Sequence, residues 1–211
     1  LGLAGVILLK LGHRHSVPTF DAQADLLRWG LAASLWRYFW AARAPVDPAT
    51  LASPFSPDNT PAPAAPMPDL VSVQSESFFD VRELWPGIKP QVLSEYDRLA
   101  GEALARGKLH VAAWGANTVR TEFAYLTGIP GERLGVHRFN PYRVLARQGL
   151  PSIASHLKAQ GYRTVCIHPF DGSFYGRHQV LPALGFDEFI DVRSFNDAQK
   201  AGPFIGDCAV A

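Results

Sequence analysis

The pattern of apolar and polar positions changes period several times along the 211 residues. LGLAGVILLKLG, residues 1–12, is almost continuously apolar but falls short of the roughly 20 residues that span a bilayer. No charged region precedes it and no small-residue cleavage site follows, so it is a poor signal peptide. It reads as the closing turns of a transmembrane helix or as a short buried helix. DAQADLLRWGLAASLWRYFWAAR, residues 21–43, has helical spacing and puts Trp29, Trp36 and Trp40 near one face. Arg28, Arg37 and Arg43 beside those indoles suit a membrane–water interface, with packing on another protein segment as the alternative.

Residues 44–69 carry eight prolines and read as an extended linker. Beyond them the period alternates. DLVSVQSE (69–76) has strand character and 91–106 helical character. KLHVAAWG (108–115) is the next expected strand, followed by a helix opening at Thr118. Residues 128–150, rich in Gly, Pro, Arg and aromatics, show no clear period and suggest a surface excursion. PSIASHLKAQG (151–161) has helix start and stop signals, RTVCIHPF (163–170) reads as a strand, HQVLPALGF (178–186) as a short helix broken by Pro182, and EFIDV (188–192) as a last strand. Such alternation predicts an α/β fold, a mainly parallel sheet sandwiched by helices. The implied organisation is a membrane or juxtamembrane end over 1–43, a linker over 44–68, and the N-terminal part of a catalytic domain over 69–211.

Composition narrows the function. Hydrophobic residues make up 47% and charged residues 18%, with a net charge of +1 and no basic run interleaved with aromatics. A nucleic-acid partner is therefore disfavoured, because phosphate binding needs clustered Lys and Arg. Cys166 and Cys208 form no CxxC or Cys/His cluster and do not suggest zinc. Leu stands at position 1 and Met67 is the only methionine, so the chain is expected to be an internal piece of a longer protein.

Parallel strands end on one edge of a sheet, and ligands bind outside that edge. The three expected strands deliver Glu76, then Asn117 and Thr118, then His168. Singly, Glu76 is an ordinary strand end, Thr118 an N-cap with Thr121 as an imperfect capping-box partner, and His168 a polar residue at a core edge. Together they compose a site. A carboxylate and a threonine oxygen are hard ligands for Mg²⁺ or Mn²⁺. A threonine hydroxyl becomes a nucleophile once a base or metal activates it. A helix N-terminus favours an incoming phosphate, and His168 and Arg177 can hold phosphoryl oxygens, Arg in bidentate fashion.

PDLVSVQSESFFD, WGANTVRTEFAYLTG and IHPFDGSFYGRHQVLPALGFDEFID, taken in order, resemble the lipoteichoic acid synthase-like, phosphoglycerol transferase branch of the sulfatase/alkaline phosphatase superfamily, over about residues 68–211. The resemblance implies an α/β sandwich displayed outside the cell from the membrane, and one divalent metal, manganese, with Mg²⁺ or Zn²⁺ as alternatives. It implies transfer of a glycerol-phosphate or related phospho-alcohol from a phospholipid to a glycan or polymer. Glu76 then matches the first metal ligand, and Thr118 the nucleophile and metal contact. His168, Tyr175 and Arg177 match the segment holding the phosphoglycerol group. Asp171 matches its acidic residue, one place displaced. The family's later Asp-His metal pair has no counterpart here, since no Asp-His dipeptide occurs and His110 and His156 do not replace it. The isolated chain is accordingly expected to bind manganese weakly and turn over nothing.

Three alternatives accompany this reading. A common-type sulfatase needs Cys or Ser in a C/S-x-P-x-R context, and NTVRT lacks the proline. Phosphoethanolamine transfer by a related threonine enzyme is the second. The third is an inactive module that binds anionic glycolipid.

Overall fold

A computed structural model describes residues 17–56, 67–76, 78–111 and 117–211. The apolar stretch 1–12 lies outside the described residues, as does half, 112–115, of the strand expected over 108–115, and the described half forms no ladder. Helix α1 runs Ala22–Ala41, α2 Ser94–Glu102, α3 Val119–Thr127, α4 Ile153–Ala159 and α5 Arg177–Ala183. Strand β1, Val165–Ile167, pairs in parallel with β2, Glu188–Ile190, in the register Cys166 opposite Phe189. A small antiparallel pair, β3 (Lys200–Ala201) and β4 (Phe204–Ile205), follows. The α/β architecture and parallel pairing are as expected, with α5 as the crossover between β1 and β2.

Residues 69–76 form no ladder. Val71 and Val73 are more than four-fifths exposed, so among the described residues nothing covers the apolar face or pairs the backbone of that run. The alternating pattern is present, but a strand exists only where a neighbour takes its hydrogen bonds.

The largest correction concerns residues 128–150. They form a series of 3-10 turns, Gly131–Phe139, Pro141–Arg143 and Leu145–Gln148, rather than a surface excursion. Leu134, Tyr142, Leu145 and Leu150 are buried with Phe123 of α3 and Leu181 of α5 in the main core. Three residues per turn matches neither the helical nor the strand period, which is why the apolar residues looked unordered. Ser53 donates to the carbonyls of Thr127 (2.7 Å) and Pro151 (3.2 Å), and Leu51 joins the core, so the proline-rich stretch is tied to the domain over its first part.

α4 begins with a full capping box: the Ser152 hydroxyl accepts from Ser155 N–H, and the Ser155 hydroxyl accepts from Ser152 N–H. Gly185 (φ +101°) then turns the chain from α5 into β2 directly against Ser155, where a Cβ would sit 2.8 Å from backbone atoms.

α1 is not one straight helix. Gly30 (φ 74°, ψ 170°) breaks it, and the arms on either side fold toward each other. Buried Asp25 accepts from Thr19 N–H, the Thr19 hydroxyl, Phe20 N–H and, at 2.7 Å, the Tyr38 hydroxyl. Arg37 lies 4.4 Å over the Trp29 ring, and Trp36 meets Trp40 edge-on. Tyr38 stacks on Phe139, which anchors α1 to the domain. No helix among the described residues is long and apolar enough to cross a membrane.

Candidate functional site

Asn117 has a positive φ (82°) and starts the turn into α3. Its carbonyl accepts from Arg120 N–H at 3.0 Å and its side-chain amide donates to Phe139 O at 3.1 Å. Thr118 follows in helical geometry (φ −47°, ψ −34°) with no side-chain cap bond. The expected N-cap role is therefore not taken: a cap needs an extended backbone to turn its oxygen onto the helix N–H groups. The Thr118 hydroxyl instead donates to Glu76 Oε1. Two oxygens that the sequence separates by 42 positions thus meet at the start of α3, although Glu76 arrives on an unpaired segment and not on a strand.

His168 directly follows β1. Its N–H donates to Ile190 O at 2.9 Å, extending the ladder by one bond. Its Nδ1 is buried with no hydrogen-bond partner among the described residues. Burial first, and the Arg177 charge second, push the imidazole below its ordinary value, with Glu122 and Glu76 pulling the other way. His168 is therefore neutral at neutral pH and stands in the field of both carboxylates.

Consecutive left-handed residues, Tyr175 (φ 57°) and Gly176 (φ 69°), turn the loop after β1 into α5 and drive Arg177 inward. Arg177 is 3% exposed. Its Nε and Nη2 bind Glu122 Oε1 and Oε2 at 3.1 and 2.8 Å, while Nη1 is buried with no partner among the described residues. The bidentate pairing expected with a phosphate is thus made to a protein carboxylate. Burial opposes the charge of Arg177, but the hydrogen bonds and charge of Glu122 outweigh it and hold the guanidinium above its ordinary value. The Tyr175 ring lies 5.5 Å from the Arg177 guanidinium carbon and packs on Phe174.

Asp171 stands apart. Its carboxylate accepts from Ser173 N–H at 2.7 Å, it is exposed, and it lines a depression with Phe170, Val192 and Phe204. It is not a hydrogen-bond partner of Thr118, Glu76 or Arg177, so the structure does not bring it into the cluster.

Sequence reasoning missed Glu122 and Tyr142. Tyr142, fully buried, donates to Glu122 Oε1 at 2.6 Å. Burial and the Glu122 charge push its phenol well above the ordinary value, so it stays a donor. Glu122 was legible: it lies four residues after Thr118, on the same helix face, and its N–H donates to Thr118 O at 2.9 Å. Tyr142 carried no such signal, because it sits in the 3-10 segment. Beneath the pair, burial pushes the Cys166 thiol up to about 12, and Cys166 and Cys208 are both free.

A cation fits part of this arrangement. Glu76 and Thr118 supply two adjacent hard oxygens, but among the described residues no group of three or more His, Cys, Asp or Glu side chains is gathered as a metal centre.

The sulfatase family pattern matches residues 68–208. Capsular polysaccharide biosynthesis protein RkpI of Rhizobium meliloti is 34% identical over 68% of this chain and 27% of its own length. The cyclic beta-1,2-glucan modification protein of the same organism, itself a provisional assignment, is 34% identical over 66% of this chain and 21% of its own. Phosphoglycerol transferase I of Xanthomonas axonopodis is 26% identical over 93% of this chain and 29% of its own. Among solved structures, lipoteichoic acid synthase LtaP of Listeria monocytogenes aligns over 47% of this chain and 24% of its own, at 27% identity and a TM-score of 0.40. The chain thus spans between a fifth and a third of the length of these curated relatives. A family match that begins just before Glu76 and runs past Arg177, over the same segments that gather into the cluster, places this chain in the sulfatase family.

Proposed function

We propose that this chain is the N-terminal part, residues 69–211, of the catalytic domain of a membrane-anchored phosphoglycerol transferase. Residues 1–43 would form the membrane or juxtamembrane end and 44–68 the linker, with the catalytic side outside the cytoplasm. The contact between Thr118 and Glu76 at the start of α3 carries the reading. These two side chains would hold one divalent cation, for which two hard oxygens suit Mg²⁺ or Mn²⁺ and the family resemblance implies manganese, with Mg²⁺ or Zn²⁺ as substitutes. The cation would supply positive charge that lowers the proton affinity of the Thr118 hydroxyl.

Thr118 Oγ1 attacks the phosphorus of a phospholipid phosphodiester. The bond from phosphorus to the lipid oxygen breaks, diacylglycerol leaves and takes a proton, and the phosphoglycerol group stays on Thr118. A hydroxyl of a glycan or growing polymer then attacks the same phosphorus. Thr118 Oγ1 is released and reprotonated. Neutral His168 and Arg177 Nη1, unpartnered among the described residues, are the donors for the phosphoryl oxygens, and Tyr175 walls the glycerol side. Asp171 would reach the glycerol hydroxyls only if its loop turned inward. The relatives named for capsular polysaccharide biosynthesis and for glucan modification support a glycan acceptor.

The test is Thr118→Ala in the full-length protein, scored by diacylglycerol release from fluorescent phosphatidylglycerol with manganese present. Turnover falls to background, because a covalent route has no substitute for its nucleophile. Unchanged turnover in the variant refutes the covalent route through Thr118, and no turnover in the parent protein favours the glycolipid-binding alternative.

A further inference from the structure

A buried arginine that serves only the fold has its donors satisfied, and an apolar pair of similar volume would often serve stability equally well. Arg177 departs from that. It is 3% exposed, yet Nη1 has no partner among the described residues, while Nε and Nη2 are both taken by Glu122. The guanidinium is planar, so fixing two of its nitrogens fixes the direction of the third. Glu122 is itself fixed. Tyr142, fully buried, donates to the oxygen that also receives Arg177 Nε, and the Glu122 backbone is bonded to Thr118 O one turn earlier.

We infer that Glu122 is the positioning residue that aims Arg177 Nη1 at the group bonded to Thr118. The reasoning rests on the transferase reading and adds a residue to it. Residues 118–122 form one helical turn that carries the nucleophile at one end and the arginine's holder at the other. The distance between the nucleophile and the arginine's holder is therefore set by a single rigid element, not by a loop. The Gly176 turn before Arg177 supplies the entry, and Glu122 sets the aim. Because Nε and Nη2 are already held by Glu122, Arg177 offers the substrate one nitrogen, Nη1 with its two N–H bonds, and discriminates by direction more than by charge.

Glu122→Asp keeps the charge and shortens the reach by one methylene. Glu122→Gln keeps the length and places a donor where Arg177 needs an acceptor. In the full-length protein, with fluorescent phosphatidylglycerol as substrate, each lowers kcat by about 100-fold, the order expected from a misplacement near 1 Å, with a small change in KM. Both keep a cooperative unfolding transition. Arg177→Ala is inactive and is partly restored by added guanidinium ion, but the double variant Arg177→Ala/Glu122→Gln is not, since the anchor for the ion is gone. Wild-type kinetics in E122D, or equal restoration in the single and double variants, overturns the inference. Thr118→Ala measured alongside separates the two claims. If it retains turnover, the transferase reading falls and the inference with it. If it is dead while E122D is normal, only the inference falls.

Discussion

Replacing Tyr142 by Phe tests the buried polar knot with little change of shape. Tyr142 is fully buried, and its hydroxyl donates at 2.6 Å to the Glu122 carboxylate. Phe keeps the ring and its packing against the core, so no cavity larger than the hydroxyl results. A hydrogen bond to a charged group contributes about 1.5–3 kcal/mol. The oxygen that loses it still accepts from Arg177 Nε at 3.1 Å, and the Glu122 side chain is 12% exposed, so some compensation is available. The expected loss is at the lower end, about 1.5–2 kcal/mol, or roughly a 10- to 30-fold drop in the folding constant. Urea unfolding reads it as a lower midpoint with unchanged slope. A thermal melt falls by about 3–8 °C for a chain of this size. Because the phenol is held protonated, the loss is the same from pH 6 to pH 9. A change below about 0.5 kcal/mol, or a gain, refutes the claim that the hydroxyl holds the carboxylate in place.

Beside the Thr118 and Glu122 variants, two further outcomes follow from the structure. Phe123→Ala empties a fully buried position in α3 and is expected to cost about 3–5 kcal/mol by urea unfolding. Asp187 receives Lys158 at 2.5 Å and Thr164 N–H at 2.9 Å, with its carboxyl pushed from 3.8 to about 2. Its folded value lies below the unfolded one, so its stabilisation is complete above about pH 4 and is lost as pH falls toward 2. Asp187→Asn is accordingly less stable than the parent at pH 7, and the difference between them closes on acidification over that window in a pH series of melts. A constant difference down to pH 2 contradicts the assignment.

Local signals in the sequence settled the elements that depend on neighbours in the chain. Ser152 with Ser155 is a capping box readable three residues apart, and α4 starts there. The apolar runs around 163–170 and 188–192 are the two strands that pair, since their partner lies within the described chain and a short crossover brings them side by side. Thr118 and His168 were identifiable because apolar runs stop just before them, Arg177 because its type and motif suit an anion, and Glu122 was there to be found at one turn from Thr118. Other features were decided only in three dimensions. Pairing of 69–76 needs a strand beside it, and an alternating pattern cannot supply one. The burial of 128–150 depends on 3-10 turns whose period resembles no amphipathic template. The break at Gly30, which interrupts the helical spacing between Trp29 and Trp36, follows from a positive φ that the pattern does not reveal. The pairing of Arg177 with Glu122 instead of with solvent or ligand is a contact across 55 positions. Sequence spacing fixes which residues share a turn or a face, because those distances are set by backbone geometry. Contacts across tens of residues are set by how the core packs, and that is where Glu76 met Thr118, Arg177 lost two of its donors, and Asp171 was left outside the cluster.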